Sequence, residues 1–172
     1  MTKTTPSRWS RSLGLALGLL ASALLLAAAF LPGSRGIPVW FALVPALLCA
    51  RRLTLGRLLW LSWLAGYLHC LAAYYWVTIV SGVGGLLLPI YLGAYWPLFF
   101  VAVEFLARRS GVPRLLSAII LWPVLEWIRG TALPGLPWFF LGHSLYSWPA
   151  LIQSADLGGV LVLSVVVMGV NA

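Results

Sequence analysis

Leu86-Leu87-Leu88-Pro89-Ile90-Tyr91-Leu92-Gly93-Ala94-Tyr95-Trp96-Pro97-Leu98-Phe99-Phe100-Val101-Ala102-Val103-Glu104-Phe105-Leu106-Ala107 carries a single charged residue, and its reading decides the fold. As a helix it would reach about 33 Å at ~1.5 Å per residue, enough to cross a hydrocarbon core of ~30 Å. The rest of the chain agrees with that reading. Hydrophobic residues make up 62% of the 172, and charged residues only 8%, against roughly 25% in soluble domains. Disorder is excluded by the same figures, because disordered chains are rich in charge and poor in apolar residues. The chain is therefore expected to be an integral membrane protein.

Working outward, five further apolar runs read as helices: 13–31, 37–50, 58–80, 115–133 and 151–170, beside 86–107 itself. The expected fold is all-α, a polytopic transmembrane bundle of about six helices behind a tail at 1–12. A basic start and Ala27-Ala28-Ala29 also describe a signal peptide. However, the first run is longer than a usual signal core and apolar segments follow at once, so an uncleaved first span is expected. The run at 37–50 contains Pro38 and Pro45 and would cover only about 21 Å, so it needs a tilt, flanking residues or a hairpin with the first helix.

Lys+Arg number 11 against three Asp+Glu, a net charge of +8. No basic stripe is interleaved with stacking aromatics, so nucleic acid is not the expected partner. The charges fall between apolar runs instead. With a cytoplasmic N-terminus, Lys3, Arg8, Arg11, Arg51, Arg52, Arg57, Arg108, Arg109 and Arg114 lie inside, leaving Arg35 and Arg129 near the outer side. That distribution follows the positive-inside rule. No polar stretch is long enough for a soluble domain. The ending Val170-Asn171-Ala172, directly after an apolar run, reads as a cut end.

Few residues offer chemistry. Glu126 is a carboxylate in or near a span, where insertion costs about 2.5–3.5 kcal/mol and such residues are paired or functional. Arg129, three positions on, shares its helical face; the two form either a structural pair or a contact to a headgroup or cavity. Glu104 and Arg108 are spaced for an ion pair at the cytoplasmic end. Cys49 and Cys70 lack metal or disulfide spacing, so no metal or cofactor is expected. His69-Cys70 reads as a packed, inert pair. His143, Ser144 and Asp156 lack both the spacing and the nucleophile elbow of a hydrolase triad. The stretch from Leu133 to Ser144, dense in Pro, Gly and aromatics, reads as a re-entrant or interfacial outer loop. Trp40, Trp76, Trp96, Trp127, Trp138 and Trp148 are expected at or near outer helix ends.

Taken together, certain stretches resemble a known family. Trp122-Pro123-Val124-Leu125-Glu126-Trp127-Ile128-Arg129-Gly130, then Gly135-Leu136-Pro137-Trp138 and Leu141-Gly142-His143-Ser144, are similar to the membrane part of bacterial apolipoprotein N-acyltransferase. Phe41 to Leu48, Tyr75-Trp76-Val77, and Ile152 to Gly159 with Ser164 and Asn171 fit the same family, in order, from about residue 12 onward. The resemblance implies a multi-pass inner-membrane enzyme of lipoprotein maturation. Its partners would be a phospholipid acyl donor and a diacylated apolipoprotein whose N-terminal amine receives the acyl chain. In that family the catalytic Cys, Glu and Lys stand in a nitrilase-like domain beyond the sixth helix, so no catalytic residue is expected here and the chain alone should be inactive. Trp76, Glu126, Arg129, Pro137 and Trp138 are the positions expected to shape the outer mouth. A non-enzymatic scaffold or lipid-binding protein is the alternative. A small transporter is disfavoured by the absence of repeats and the scarcity of polar residues in the spans.

Overall fold

The computed structural model describes residues 8–132 and 135–172. Lys3, most of the tail, and the end of the fifth expected span at Leu133 lie outside them. Among the described residues every regular element is helical. The order begins α1 (Arg8–Ala28), a 3-10 turn at Ile37–Trp40, α2 (Val44–Ala50), α3 (Leu55–Ala73), α4 (Tyr75–Ser81), α5 (Val83–Gly93) and α6 (Tyr95–Arg109). It continues with α7 (Arg114–Thr131), a 3-10 turn at Leu141–Ser147, α8 (Pro149–Ile152), a 3-10 turn at Gln153–Leu157 and α9 (Val160–Asn171).

The apolar runs are largely helical, but several are broken. α5 and α6 continue through Ala94 as one apolar run, Val83–Arg109, of 27 residues. Among the described residues this is the one helix long and apolar enough to cross a membrane unaided. The run expected at 58–80 bends by 65° between α3 and α4, and the run at 151–170 bends by 117° before α9; counting each bent pair as one span gives up to three. The breaks follow local chemistry. Tyr74 leaves helical geometry at φ −104°, and Gly159 sits at φ 72°, where a side chain would be strained. The short second run divides because Pro38 and Pro45 each favour the first turn of a new helix.

Broken helices expose backbone groups, and in an apolar interior these need partners. Side chains from distant helices supply them. Asn171, at the end of α9, accepts from the Leu43 amide at 2.8 Å and donates to the Val39 carbonyl at 2.8 Å. Ser22 of α1 accepts from the Ala46 amide in the first turn of α2 at 2.9 Å. Residues 39–46 are thereby held by α1 on one side and α9 on the other.

α3 is the central helix, packed on α1, α5 and α6, while α7 lies against α6 and α9. The core runs through Leu19, Leu58, Phe99, Phe100, Leu163 and Met168. Gly66 of α3 and Gly93 of α5 bring two backbones together. A Cβ on Gly66 would stand 2.6 Å from the Gly93 carbonyl oxygen, far inside ordinary contact. The outward surface is strongly apolar: Ile79 and Val80 are each 78% exposed and Leu157 is 83% exposed. Patches of this kind suit lipid rather than water. Trp96, expected at an interface, is instead buried against Phe100 and His69.

One end of the bundle is basic. Glu104, 1% exposed, takes Arg108 at 3.0 Å and Arg114 at 2.8 Å. The pair expected from spacing thus gains a second guanidinium from α7. Arg108 also donates to the Leu53 carbonyl at 2.8 Å, fastening the loop between α2 and α3. Arg129, near the far end of α7, stands about 22 Å away at ~1.5 Å per residue.

Candidate functional site

α7 carries Trp122, Glu126 and Arg129 at i, i+4 and i+7, which places all three on one face. That face grips the segment from Leu136 to Leu141. Glu126, 4% exposed, accepts at Oε1 from the Trp122 indole at 2.9 Å and from the Leu141 amide at 2.7 Å. The Leu141 amide opens a 3-10 turn, where an N–H has no partner within the turn, and a carboxylate oxygen is a strong acceptor for it. Arg129 donates through Nη2 to the carbonyls of Trp138 at 3.1 Å and Phe139 at 3.4 Å. Its guanidinium also lies over the Phe140 ring, 5.1 Å from the centroid.

Glu126 and Arg129 therefore do not form the ion pair that their spacing allows. Among the described residues both ion pairs belong to Glu104. Each residue of α7 instead binds the loop; the Ser164 hydroxyl of α9 also stands against the Glu126 carboxylate, while Arg129 Nε is buried without a hydrogen-bond partner.

The loop has the character expected of an interfacial segment, but it is firmly seated. Phe139 adopts φ 56°, a conformation that a non-glycine residue holds only when its surroundings enforce it. Phe30 meets it edge-on at 5.0 Å and Tyr74 at 4.7 Å. Tyr74 donates its hydroxyl to the Trp138 carbonyl at 3.0 Å. Since Tyr74 occupies the break between α3 and α4, that break also sets the next residues: Trp76 lies 5.4 Å from Trp138, ring to ring. Trp76 is 37% exposed and Trp138 46%. Pro137, also exposed, fixes its own φ and keeps Leu136 extended. The five positions expected at an outer mouth thus fall into one neighbourhood: two exposed indoles and a proline above, a carboxylate and a guanidinium beneath.

Below them is a pocket of about 380 Å³, its open mouth included, lined among others by His69, Tyr95, Trp96, Trp122, Glu126 and Arg129. His69, read from sequence as an inert neighbour of Cys70, shares this pocket with a carboxylate. Its Nδ1 stands 3.3 Å from the Ala23 carbonyl, which can only accept; Nδ1 therefore carries the proton and Nε2 is the acceptor. Cys70 is buried beside Tyr74 and Leu92. His143 stacks flat on Phe140 at 5.3 Å and accepts the Phe140 amide at Nδ1, 3.2 Å away. Ser144 turns instead to the Leu141 carbonyl at 2.7 Å. No group of three His, Cys, Asp or Glu gathers in metal-binding geometry among the described residues.

Trp122, Tyr74, His69 and Tyr95 were not singled out from sequence as parts of this site. The spacing of Trp122 to Glu126 was legible; the other three reach the site only through helix packing.

The comparisons with known proteins point the same way. The family described as apolipoprotein N-acyltransferase N-terminal domain matches residues 22–172. An apolipoprotein N-acyltransferase of Rhodopirellula baltica is 38% identical across 65% of this chain and 20% of its own length. The Geobacter metallireducens protein of that name is 33% identical across 77% and 27%, and the Gloeobacter violaceus one 29% identical across 92% and 32%. The chain spans a fifth to a third of the length of these relatives. With nearly the whole described chain inside the match, and its Glu126–Arg129 and Pro137–Trp138 motifs joined in one site, this chain belongs to the apolipoprotein N-acyltransferase family, as its N-terminal domain.

Proposed function

We propose that this chain is the membrane part of an apolipoprotein N-acyltransferase, resident in the bacterial inner membrane as a multi-pass bundle of about six spans with a cytoplasmic N-terminus. The full enzyme would move an acyl chain from a phospholipid to the N-terminal amine of a diacylglyceryl-cysteine lipoprotein. The role of this region is to hold the lipid substrates at its outer mouth, with Trp76, Pro137 and Trp138 as contact residues and Glu126 and Arg129 holding them in place.

The observation that carries this reading is the seating of the Trp138 segment. Exposed indoles at a membrane interface are common, but a backbone strained at Phe139 and fastened by a buried carboxylate, a guanidinium and a tyrosine is a preorganised surface. The basic end about Glu104 supports the orientation, since it gathers Arg51, Arg52, Arg57 and Arg109 nearby in sequence on the side expected to face the cytoplasm.

The test uses the purified chain in lipid nanodiscs with a fluorescent diacylated lipopeptide. Saturable binding that Trp138→Ala weakens, with no N-acylated product, is the expected result. Binding unchanged by both Trp138→Ala and Trp76→Ala would defeat the assignment of the mouth. N-acylated product from this chain alone would defeat the assignment of roles.

A further inference from the structure

The basic end of the bundle carries more positive charge than the chain neutralises. Arg51 and Arg52 follow α2, Arg57 stands in the first turn of α3, Arg108 and Arg109 close α6, and Arg114 opens α7. One carboxylate faces them: residues 44–62 and 100–120 hold Glu104 and no other acid. Both ion pairs among the described residues are made there, with Arg108 and with Arg114. Arg51, Arg52, Arg57 and Arg109 are exposed and take no share of that carboxylate.

The turn between α2 and α3 is drawn onto the end of α6. Arg108 Nη2 lies 2.8 Å from the Leu53 carbonyl oxygen, 3.3 Å from that of Ala50 and 3.5 Å from that of Arg51. Arg51 and Arg52 are thereby fixed beside Arg108 and Arg109, and Arg114 joins them through Glu104. The positive-inside rule accounts for the sign of this end, but it does not require the charged segments to converge. Guanidiniums gathered in this way repel one another, and an anion among them relieves the repulsion.

The neighbouring surface selects among anions. Leu48, Trp60 and Phe105 are exposed apolar side chains just inside the charges. Trp60 lies three residues beyond Arg57, and Phe105 four before Arg109, about one helical turn in each case. A free phosphate, a nucleic acid or an acidic protein gains nothing from apolar surface at that level. A phospholipid gains twice, because its phosphate takes guanidinium in bidentate geometry while its acyl chains cover the rings. The headgroup has to be anionic overall, since a zwitterionic one would bring an ammonium among the arginines.

We propose that the basic end about Arg51, Arg52, Arg57 and Arg109 binds anionic phospholipid, its phosphate on the guanidiniums and its acyl chains against Trp60 and Phe105. The proposal rests on reading the chain as a membrane bundle. It is independent of the acyltransferase assignment and of the outer mouth.

The test places the chain in nanodiscs of equal parts phosphatidylglycerol and phosphatidylethanolamine, and counts the lipids still bound on release by native mass spectrometry. Both leaflets share one composition, so the result does not depend on orientation. An arginine at an anionic surface strengthens binding about fivefold, and retained phosphatidylglycerol should exceed phosphatidylethanolamine by at least about that factor. Arg51→Gln with Arg52→Gln, and separately Arg57→Gln with Arg109→Gln, should each move the ratio toward one while leaving the Glu104 ion pairs intact. Arg35→Gln, beside Trp148, should leave it unchanged. Glycerophosphoglycerol, the same headgroup without acyl chains, should displace nothing. A ratio near one for the unaltered chain overturns the proposal, as does a ratio that neither double variant lowers or that Arg35→Gln lowers equally. Displacement by glycerophosphoglycerol overturns the lipid as occupant. A chain that does not enter nanodiscs at all overturns the membrane reading, and this proposal with it.

Discussion

Glu126 and Arg129 lie one turn apart on the same helix face, yet each reaches past the other to the backbone of a single loop. Glu126 takes the Leu141 amide at 2.7 Å and Arg129 donates to the Trp138 carbonyl at 3.1 Å. Opposite charges at this spacing usually pair with each other. Here the loop offers the acid an amide, and the base two carbonyls, that have no backbone partner, and in an apolar setting those groups have to be met. The arrangement makes α7 a two-point clamp.

Removing the acid should therefore release the loop. Glu126→Ala leaves the Leu141 amide and the Trp122 indole unsatisfied, at about 1–3 kcal/mol for each buried group. Glu126→Gln keeps one acceptor oxygen and should cost less. Thermal unfolding of the purified chain in detergent would rank them wild type, Gln, Ala. Equal midpoints for all three would mean that the clamp contributes nothing to stability.

Tyr74→Phe removes one hydrogen bond to the Trp138 carbonyl and leaves the ring in its apolar surroundings. The carbonyl keeps Arg129 as a donor, so the loss should be modest, about 0.5–1.5 kcal/mol. Faster amide exchange confined to residues 136–141 would be the corresponding local signature. Protection unchanged there would show that the tyrosine acts through packing alone.

At the basic end, Glu104→Ala strands two guanidiniums against a buried helix. Loss of one partner from a buried pair costs up to about 3–5 kcal/mol, and the partial exposure of both arginines should hold the effect below that ceiling. The double variant with Arg114→Met should recover part of the loss. A double-mutant cycle showing no coupling would disprove the Glu104–Arg114 bridge between α6 and α7.

Gly66→Ala should be among the most damaging small substitutions. The added methyl would stand 2.6 Å from the Gly93 carbonyl oxygen, and backbone cannot yield as a side chain does. Overpacking of this kind costs about 1–3 kcal/mol. Gly14→Ala, which meets nothing within 4 Å, is the control; a drop in midpoint of equal size for both would remove the argument from close approach.

Acid should loosen the loop through His143. Burial, and then the charge of Arg129, lower the affinity of its imidazole for a proton. The unfolded chain therefore binds that proton first as pH falls, so this contribution to stability is complete above the ordinary histidine value of about 6.5 and declines below it. The geometry explains the direction: protonation of Nδ1 removes the acceptor for the Phe140 amide. His143→Gln should flatten the decline below about pH 6.5, as read from midpoints measured on either side of that value. A decline equally steep in the variant would assign it elsewhere.

Much of the architecture was legible because it depends on near neighbours. Each α-helix among the described residues overlaps one of the apolar runs, and the Glu104–Arg108 spacing named an ion pair that is present at 3.0 Å. Less legible were the breaks. Composition gives 58–80 as one span, whereas Tyr74 divides it, since its hydroxyl and ring are claimed by Trp138 and Phe139. Trp96 illustrates the converse, an aromatic assigned to the interface on composition and buried by helix packing.

The sequence by itself determined that this is an all-helical, strongly apolar chain of the apolipoprotein N-acyltransferase family, with charge gathered at helix ends and one acid in the fifth run. Those properties are set by residues three or four apart and by the cost of placing charge in hydrocarbon. Only the tertiary structure decided what that acid does. Its amide partner is 15 residues away, and Asn171 closes a break 132 residues distant at Val39. Contacts over such separations are written in no local pattern, because they arise when broken helices compete for the few side chains able to satisfy their backbones.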